Sequence, residues 1–441
     1  MSELTDRWWD RYGSLRYGDL PQDVRTVAGQ CMLDWFGCAL AGSREPLSGI
    51  LRDEFASSGG GCSLVGTDLR ADILRAAMVN GAAGHALDFD DTSGVMGAHA
   101  TVPLAPAVLA LAESQGRCGA DALTAYVVGM EVQSRIGASI GFEHYGKGWH
   151  TTATIGVYGA AAATSWLLGL DHAGFGAAIG IAASNASGLK ANFGTMTKPL
   201  HPGQAAERGL LAARLAARGF TSNAEALDGS QGFAQAAGNG VLDRARMARL
   251  DDSWATSHTL FKHHAACHLT HAGIEATISI IEGGVDRRDI RGITMTVNPA
   301  ILDVCGIADP TTGLEAKFSL RGTQALVVHE VDTAAVSTFE DGPINRDDVQ
   351  SFIPSVEIET DEALHTMETK VAVRTAEGLV TAASDVSRPA ADLVAQGAKL
   401  RAKFDALAAP VLGAQRAATL GDRLARLGEV DDIGELLALA R

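Results

Sequence analysis

Apolar residues recur every three or four positions through most of the first 270 residues of the chain. The spacing is clearest in DVRTVAGQCMLDWFGCALAG, LRAAMVNGAAGHALDF and AAERGLLAARLAARGF, and it is the pattern of helices that bury one face. Many of the apolar positions are Ala or Gly, which lets neighbouring helices approach closely. The pattern predicts a large all-helical domain over residues 1–270.

The period of the pattern changes in the next part of the chain. The segments RGITMTV, PSVEIET and ETKVAVRTAEGLVTAAS alternate polar residues with Val, Ile or Ala, as half-exposed strands do. We therefore expect a smaller α+β lid domain over residues 271–394. Helical spacing returns over residues 395–441, and we expect this tail to pack back on the helical domain. The predicted fold class is mainly α.

Composition and charge exclude several classes of function. The chain has 441 residues, 46% of them hydrophobic, and a net charge of −16. A nucleic-acid partner needs a basic face, so we expect none. No apolar run approaches the roughly 20 residues that cross a bilayer, so we expect no membrane partner. The N-terminal sequence shows no export signal, and we expect a cytoplasmic protein with reduced cysteines.

Polar residues whose side chains can bind a ligand or transfer a proton are concentrated in the middle of the chain. Eleven of the thirteen histidines lie between His85 and His271. The segment GHALDFDDTSGVMGAHAT adds three carboxylates, Asp88, Asp90 and Asp91. They are consistent with a catalytic loop, with a Mg²⁺ or Ca²⁺ site, or with helix capping, although EF-hand spacing is missing.

A second segment, FEHYGKGWHTTATIG, places Tyr145 and His150 ahead of a helix rich in small residues. We expect Thr151 or Thr152 to cap that helix, whose N-terminus favours an anion. The glycines of TIGVYGAAAAT lack the spacing of a nucleotide-binding loop, and close helix packing explains them better.

The segment KHHAACHLTHAGIEA contains a third group of candidates. On one continuous helix, His264, His268 and His271 share a face, which is one way to bind a metal ion. The HExxH motif is missing and no carboxylate joins them before Glu275, so we expect no metal. A nucleophilic Cys267 paired with His271 is a further alternative.

The segment MTKPLHPGQAAERG interrupts an alanine-rich helical pattern with a lysine and two prolines. We expect Pro199 and Pro202 to break the helix and to point Lys198 into a site, with a helix restarting over residues 203–208.

Six segments occur in the order and spacing of one known family. They are HALDFDDT, GWHTTATIGVYGAAAA, MTKPLHPGQAAERGLLAARLAARGFT, ALDGSQGF, KHHAACHLTHAGIEA and EAKFSL. On these segments the chain resembles the MmgE/PrpD family from about residue 20 to 390. That family includes 2-methylcitrate dehydratase, cis-aconitate decarboxylase and iminodisuccinate epimerase. The resemblance implies a homodimer with an active site at the junction of a helical and an α+β domain, and no cofactor.

The resemblance also implies site residues at matching positions. These are Asp88 and Thr92 in DFDDT, His99 just downstream, His150 in GWH, Lys198 in TKPLHPG, and the segment Lys262 to His271, which contains His268.

The chain departs from the family pattern in two places. After DFDDT it reads SGVMGAHAT, without the tryptophan and the His-Pro common in the dehydratases and decarboxylases. After KFSL it reads Arg321-Gly322, where an aromatic residue is frequent. An added arginine suits a substrate with an extra carboxylate. We therefore expect an epimerase acting on a polycarboxylate such as iminodisuccinate. Dehydration of 2-methylcitrate, decarboxylation of cis-aconitate and non-catalytic binding of polycarboxylates are the alternatives.

Epimerisation needs a base and an acid on opposite faces of the carbon next to a carboxylate. We expect Lys198 to be the base, because burial and nearby histidines disfavour its protonated form, and Tyr145 to be the acid. The residues expected to bind or orient the substrate are His99, His150, His268, Arg321, Asp88, Thr92 and Lys262.

Overall fold

The computed structural model of the protein describes residues 2–57 and 59–441. The chain forms two compact units, one from the N-terminus to Phe261 together with Ala390–Arg441, and one over Lys262–Pro389. The predicted boundaries at 270/271 and 394/395 lie a few residues from these limits. As a consequence, Lys262 and His268 belong to the second unit and not to the helical domain to which the sequence pattern assigned them.

The first unit is built almost entirely from helices, as predicted. Its elements in chain order are α1 Glu3–Tyr12, α2 Gln22–Gly42, α3 Pro46–Phe55, β1 Cys62–Ser63, β2 Arg70–Ala71, α4 Ile73–His85, β3 Thr92–Ser93, α5 Ala105–Gln115, α6 Gly119–Ile140, α7 Phe142–Gly146, α8 Thr151–Leu167, α9 His172–Ala183, α10 Thr197–Ala216, α11 Phe233–Ala237, α12 Arg244–Ala248 and β4 Thr259–Leu260. Antiparallel pairing joins β1 to β2 and β3 to β4, two short ladders that the hydrophobic pattern did not indicate.

The second unit combines a four-stranded sheet with helices. Its elements are α13 His268–Glu282, β5 Gly292–Val297, α14 Leu302–Cys305, α15 Gly313–Ala316, α16 Leu320–Val328, α17 Asp341–Ile344, α18 Asp347–Phe352, β6 Val356–Thr360, β7 Glu368–Thr375 and β8 Gly378–Asp385. The strand order is β6-β5-β7-β8, with β5 and β6 parallel and the other pairs antiparallel. Helix α13 packs on β7 and β8, which is why its N-terminal histidines belong to this unit.

The tail returns to the first unit as α19 Leu393–Leu412, α20 Ala414–Leu424 and α21 Ile433–Leu439. Helix α19 packs along α2, and Leu400 and Phe404 are fully buried in the core of this unit. The predicted mainly α fold with a smaller α+β unit is confirmed. Within residues 2–57 and 59–441, none of the helices combines the length and apolar character that crossing a membrane requires.

Two glycines bring α4 and α10 into direct backbone contact. A Cβ placed on Gly81 would lie 2.7 Å from the Cα of Gly203, so neither position has room for a side chain. Because α4 ends at His85 and α10 begins next to Lys198, this close crossing sets how near the two ends lie to each other.

The predicted break at Pro199 and Pro202 is wrong, because α10 runs without interruption from Thr197 to Ala216. Pro199 lies in the first turn, where backbone N–H groups have no helical acceptor in any case. Pro202 lacks the N–H that would otherwise bind the Lys198 carbonyl, and the helix tolerates this loss one turn from its start. The lysine is therefore presented by a helix N-terminus and not by a loop.

The predicted cap of α8 is also wrong. The residue that precedes this helix is His150, and neither Thr151 nor Thr152 supplies a side-chain cap. The Thr152 hydroxyl instead accepts the backbone N–H of His99 at 3.1 Å. The threonine thus fixes the segment that carries His99 against the start of α8.

Candidate active site

Five side chains of the first unit form a continuous row of alternating basic and acidic groups, which we call the acid–base row. The contacts along it are Lys198 Nζ to Asp88 Oδ1 at 2.7 Å, Asp88 Oδ1 to His99 Nε2 at 3.2 Å, His99 Nδ1 to Asp90 Oδ2 at 3.0 Å, and Asp90 Oδ1 to His85 Nδ1 at 2.8 Å. Each contact joins a nitrogen to a carboxylate oxygen. A proton or a charge change at one end is therefore felt along the whole row.

The loop that follows α4 gives the row its geometry. Asp88 adopts a left-handed backbone conformation with φ of 54°, which Asp and Asn tolerate better than other non-glycine residues. This conformation turns the chain sharply, so that Asp88 reaches Lys198 while Asp90, two residues later, reaches His85. Both carboxylates can then contact the single imidazole of His99.

One end of the row is accessible and the other is sealed. The side chains of Lys198 and Asp88 are 15% and 21% exposed, whereas those of His85 and Asp90 are 0% and 1% exposed. Solvent therefore reaches the Lys198 end without unfolding of the site. The buried end is held out of contact with solvent.

The charges of the buried end are set by its environment. Burial lowers the pKa of His85 to about 4, with further lowering by Lys198 and His99, although Asp90 acts in the opposite direction. Burial raises the pKa of Asp90, but the two neighbouring histidines outweigh it and hold that pKa well below its usual range. At neutral pH the inner pair is thus an anionic Asp90 bound to a neutral His85.

A second pair of histidines flanks the row. His150 lies at the start of α8, its ring centre 6.0 Å from that of His85, and its Nδ1 is 3.1 Å from Nδ1 of His201. Burial lowers the pKa of both His150 and His201, and the positive charge of Lys198 lowers both further. One Nδ1 must donate and the other accept, so at least one ring is neutral. Phe193 packs edge-on against His150.

Two further residues predicted in this unit, Tyr145 and Thr92, are not among the five side chains of the row. Tyr145 lies on α7, where Lys190 Nζ is 3.5 Å from the centre of its ring and also donates to its backbone carbonyl. Thr92 is the first residue of β3 and pairs with Leu260 of β4. Their predicted roles, acid for Tyr145 and substrate contact for Thr92, stay predictions.

Lys262, His268 and Arg321 belong to the second unit, and three histidines of this unit form a cluster. The continuous helical face predicted for His264, His268 and His271 is wrong, because α13 begins at His268 and His264 precedes it. The rings still meet, since the His271 centre lies 4.9 Å from that of His264 and 4.7 Å from that of His268. Arg321 is half-buried near the start of α16.

Four members of the row offer atoms that suit a metal ion. Atoms of His85, Asp88, Asp90 and His99 all lie within 4.8 Å of one another. The same groups already contact each other, and the Lys198 ammonium at Asp88 repels a cation. The expectation that no metal is needed stays a prediction.

The low pKa of His85 predicts a pH-dependent contribution to stability. An unfolded chain protonates this histidine near pH 6.5, whereas the folded protein resists protonation down to about pH 4. The unfolded state therefore binds more protons in this window, and stability falls as the pH falls. Replacing His85 by Gln should reduce the loss of unfolding free energy between pH 7 and pH 5 by about 2 kcal/mol, measured by urea unfolding.

The exposed His365 supplies the control for this measurement. His365→Gln should leave the pH dependence of stability as in the wild type. Comparing variants with wild type is necessary because burial raises the pKa of Asp91 to about 7, so Asp91 adds stability as the pH falls. Equal pH dependence in His85→Gln and wild type would contradict the assignment of His85 as a neutral buried base.

His85, Asp90 and His201 were not predicted as site residues, although all three lie in segments that contain predicted site residues. Their spacing contained a usable signal. His85 and Asp90 are five residues apart across a helix end, and His201 follows Lys198 by three residues on one helix face. The sequence does not show that these three side chains lie in one site. That follows from the turn at Asp88 and from the position where α10 begins.

Comparison with known proteins assigns the chain to a family. Residues 12–244 match the MmgE/PrpD N-terminal domain and residues 264–426 match the MmgE/PrpD C-terminal domain. These two matches cover most of both units. The segments that carry the acid–base row all lie within the N-terminal match.

Named relatives are decarboxylases or resemble them. Cis-aconitate decarboxylase-like protein oryM of Aspergillus oryzae is 29% identical over 466 aligned positions, which cover 96% of this chain and 94% of the relative. Cis-aconitate decarboxylase of Aspergillus terreus is 34% identical over 281 positions, covering 60% of this chain and 57% of the relative. The Homo sapiens enzyme of that name is 29% identical, over 81% of this chain and 77% of its own length. With both of its domains matched, the chain belongs to the MmgE/PrpD family.

Proposed function

We propose that the protein is a cofactor-independent enzyme that transfers a proton to or from the carbon next to a carboxylate of a small polycarboxylate. The observation that carries the proposal is the acid–base row, which begins at a reachable Lys198 and ends at a sealed His85. Proton transfer by positioned side chains is the chemistry for which such a row is suited.

The cationic and neutral nitrogens at the open end support an anionic substrate. Removing or adding a proton next to a carboxylate builds negative charge on that carboxylate, and nearby donors must stabilise it. Lys198 and His99 supply such donors at this end, and the buried His150 lies beside the row. The chain as a whole carries a charge of −16, so this local concentration of basic groups stands out against its surroundings.

The ion pair that Lys198 forms with Asp88 favours decarboxylation as the reaction. The pair makes Lys198 an ammonium group with a proton to give, whereas the base expected from sequence would be a neutral amine. Loss of carbon dioxide breaks a carbon–carbon bond, and the electron pair left behind must end on a carbon that takes up one proton. Lys198 would supply that proton. The names of the relatives point the same way, to an unsaturated substrate such as cis-aconitate.

Epimerisation remains the second candidate, because of the residues after KFSL. The chain has Arg321-Gly322 where an aromatic residue is frequent in the family, and a Cβ on Gly322 would lie 2.8 Å from Cγ of Pro310. Gly322 therefore has no room for an aromatic side chain, and Arg321 suits an additional carboxylate. An epimerase would use Lys198 on one face of the carbon and Tyr145 on the other.

The Tyr145→Phe substitution separates these two candidates. In a two-sided epimerase it should abolish exchange of the substrate proton from one stereoisomer and leave exchange from the other, as followed by loss of the proton signal in deuterium oxide. In a decarboxylase that uses Lys198 as the acid, turnover should stay within a few-fold of wild type. Equal loss of exchange from both stereoisomers would contradict the two-sided assignment of Tyr145.

Proton NMR in deuterium oxide tests the proposed function as a whole. The protein is incubated separately with cis-aconitate, 2-methylcitrate and iminodisuccinate. We expect one of them to lose carbon dioxide and gain one deuterium on carbon. Exchange or inversion without loss of carbon would instead identify the epimerase, and a new alkene from methylcitrate the dehydratase. No change in any spectrum, despite a raised melting temperature with these acids, would show a binding protein and overturn the proposal.

A further inference from the structure

A buried ion pair lies directly behind the loop that carries the acid–base row. Lys403 of α19 donates from Nζ to Asp34 Oδ1 of α2 at 2.6 Å and to the backbone carbonyl of Phe89 at 2.7 Å. The same ammonium lies 3.9 Å from the centre of the Phe89 ring. Phe89 is the residue between Asp88 and Asp90, so this pair holds the middle of the loop.

We propose that Lys403 and Asp34 are positioning residues, which fix the Phe89 peptide so that the carboxylates on either side of it point along the acid–base row. The inference rests on the proposed function, since it assigns these residues to the same proton-transfer site. Neither belongs to the row, and neither is reachable from its open end, because their side chains are 7% and 1% exposed.

The loop needs such an anchor because its conformation is unusual. The left-handed backbone of Asp88 is tolerated by an Asp residue but is not its preferred state. A carbonyl that accepts a hydrogen bond from an ammonium is held more firmly than one bound to a neutral donor. Lys403 makes this bond to Phe89 immediately after the strained residue. A shift of the Phe89 peptide would move Asp88 away from Lys198 and Asp90 away from His85.

The rigidity of Lys403 itself comes from its burial and from Asp34. A buried ammonium keeps its charge only when an anion and further acceptors compensate for the lost hydration. Asp34 supplies the anion from α2 and Phe89 supplies the carbonyl. Because α2 and α19 pack along each other, the contacts between these two helices fix the ammonium independently of the loop.

Arg135 offers a matched control within the same unit. Its guanidinium is also buried, and it binds the Glu131 carboxylate at 2.7 Å and the backbone carbonyl of Leu250 at 2.7 Å. It therefore makes the same two kinds of contact as Lys403. The carbonyl that it holds lies far along the chain from the loop of Asp88 and Asp90. Loss of either cation should destabilise the fold, but only loss of Lys403 should disturb the row.

The test compares Lys403→Met, Arg135→Met and the double variant Lys403→Met with Asp34→Leu. Both single variants should unfold at lower urea concentration. Lys403→Met should also lose kcat by about 100-fold, the size expected for a catalytic group misplaced by about 1 Å. The double variant replaces a buried ion pair by apolar side chains and should recover stability, since such replacements are often neutral or stabilising. Its kcat should stay low, because the Phe89 carbonyl remains without its donor.

Recovery of kcat together with stability in the double variant would overturn the proposal, as would an equal loss of kcat in Arg135→Met. A second measurement, which does not depend on turnover, tests the role of Lys403 even if the proposed function is wrong. The imidazole nitrogen resonances of His85 and His99 in full-length protein labelled with ¹⁵N-histidine should shift in Lys403→Met and not in Arg135→Met. If the wild type turns over no polycarboxylate, the proposed function fails, and these resonances still decide whether Lys403 positions the row.

Discussion

Substituting Lys198 by Met should lower kcat by about 1,000-fold, within the range that general acid–base catalysis contributes. The methionine keeps the apolar part of the side chain but removes the ammonium that contacts Asp88 at 2.7 Å. Without it, no group at the open end of the row carries a transferable proton at the same place. Steady-state rates with the substrate identified by NMR measure the effect.

Lys370→Met is the control for this variant. Lys370 also forms an ion pair with an aspartate, Asp361 at 3.6 Å, but its side chain is 53% exposed on the second unit. Its substitution makes the same chemical change and should leave kcat within a few-fold of wild type, because exposed pairs contribute little. A wild-type kcat in Lys198→Met would remove Lys198 from the chemistry.

Substituting Asp88 by Asn should lower kcat by about 100-fold or more while leaving the protein folded. Asn accommodates the left-handed backbone conformation that this position requires, so the turn should survive the change. The amide carries no negative charge, so Lys198 loses its counter-ion and His99 loses a carboxylate acceptor. Paired measurements of kcat and of the urea midpoint give both quantities.

The Asp88→Ala variant separates the effect of backbone strain from the effect of losing the carboxylate charge. Alanine is strained at a φ of 54°, and it should cost an additional 1–2 kcal/mol or so of unfolding free energy relative to Asn. Both variants should have similarly low kcat if the carboxylate is what matters. Full activity in Asp88→Asn would show that the row works without this charge, contrary to the proposed chemistry.

The sequence pattern predicted the fold class because each unit has its own period. Helical spacing with many small residues marks the first unit, and alternation marks β5 to β8 of the second. The pattern could not assign Lys262 and His268 to the correct unit. The apolar spacing of a helix is the same whether the helix packs on other helices or, like α13, on a sheet. The start of α10 was missed because prolines within the first turns of a helix read as breaks.

Polar residues that interrupt apolar helices mark the segments of the candidate site in the sequence. Within those segments, Asp88, His99, His150 and Lys198 were selected because they match the site positions of the family that the chain resembles, and the structure brings all four together in the first unit. Their roles stay predictions. The contact between Lys403 and Asp34 could not be predicted from the sequence. Lys403 and Asp34 are 369 residues apart in the chain, and each lies inside a long helix with no local sign of its partner.

The rate at which deuterium enters the product in deuterium oxide is the most direct test of the claim that Lys198 transfers the substrate proton. Wild-type protein and Lys198→Met are each incubated with the substrate, and proton NMR reports the carbon next to the carboxylate. We predict one deuterium per turnover for wild type and incorporation about 1,000-fold slower for the variant, although the substrate still raises the variant's melting temperature. Incorporation at the wild-type rate in Lys198→Met would contradict the account.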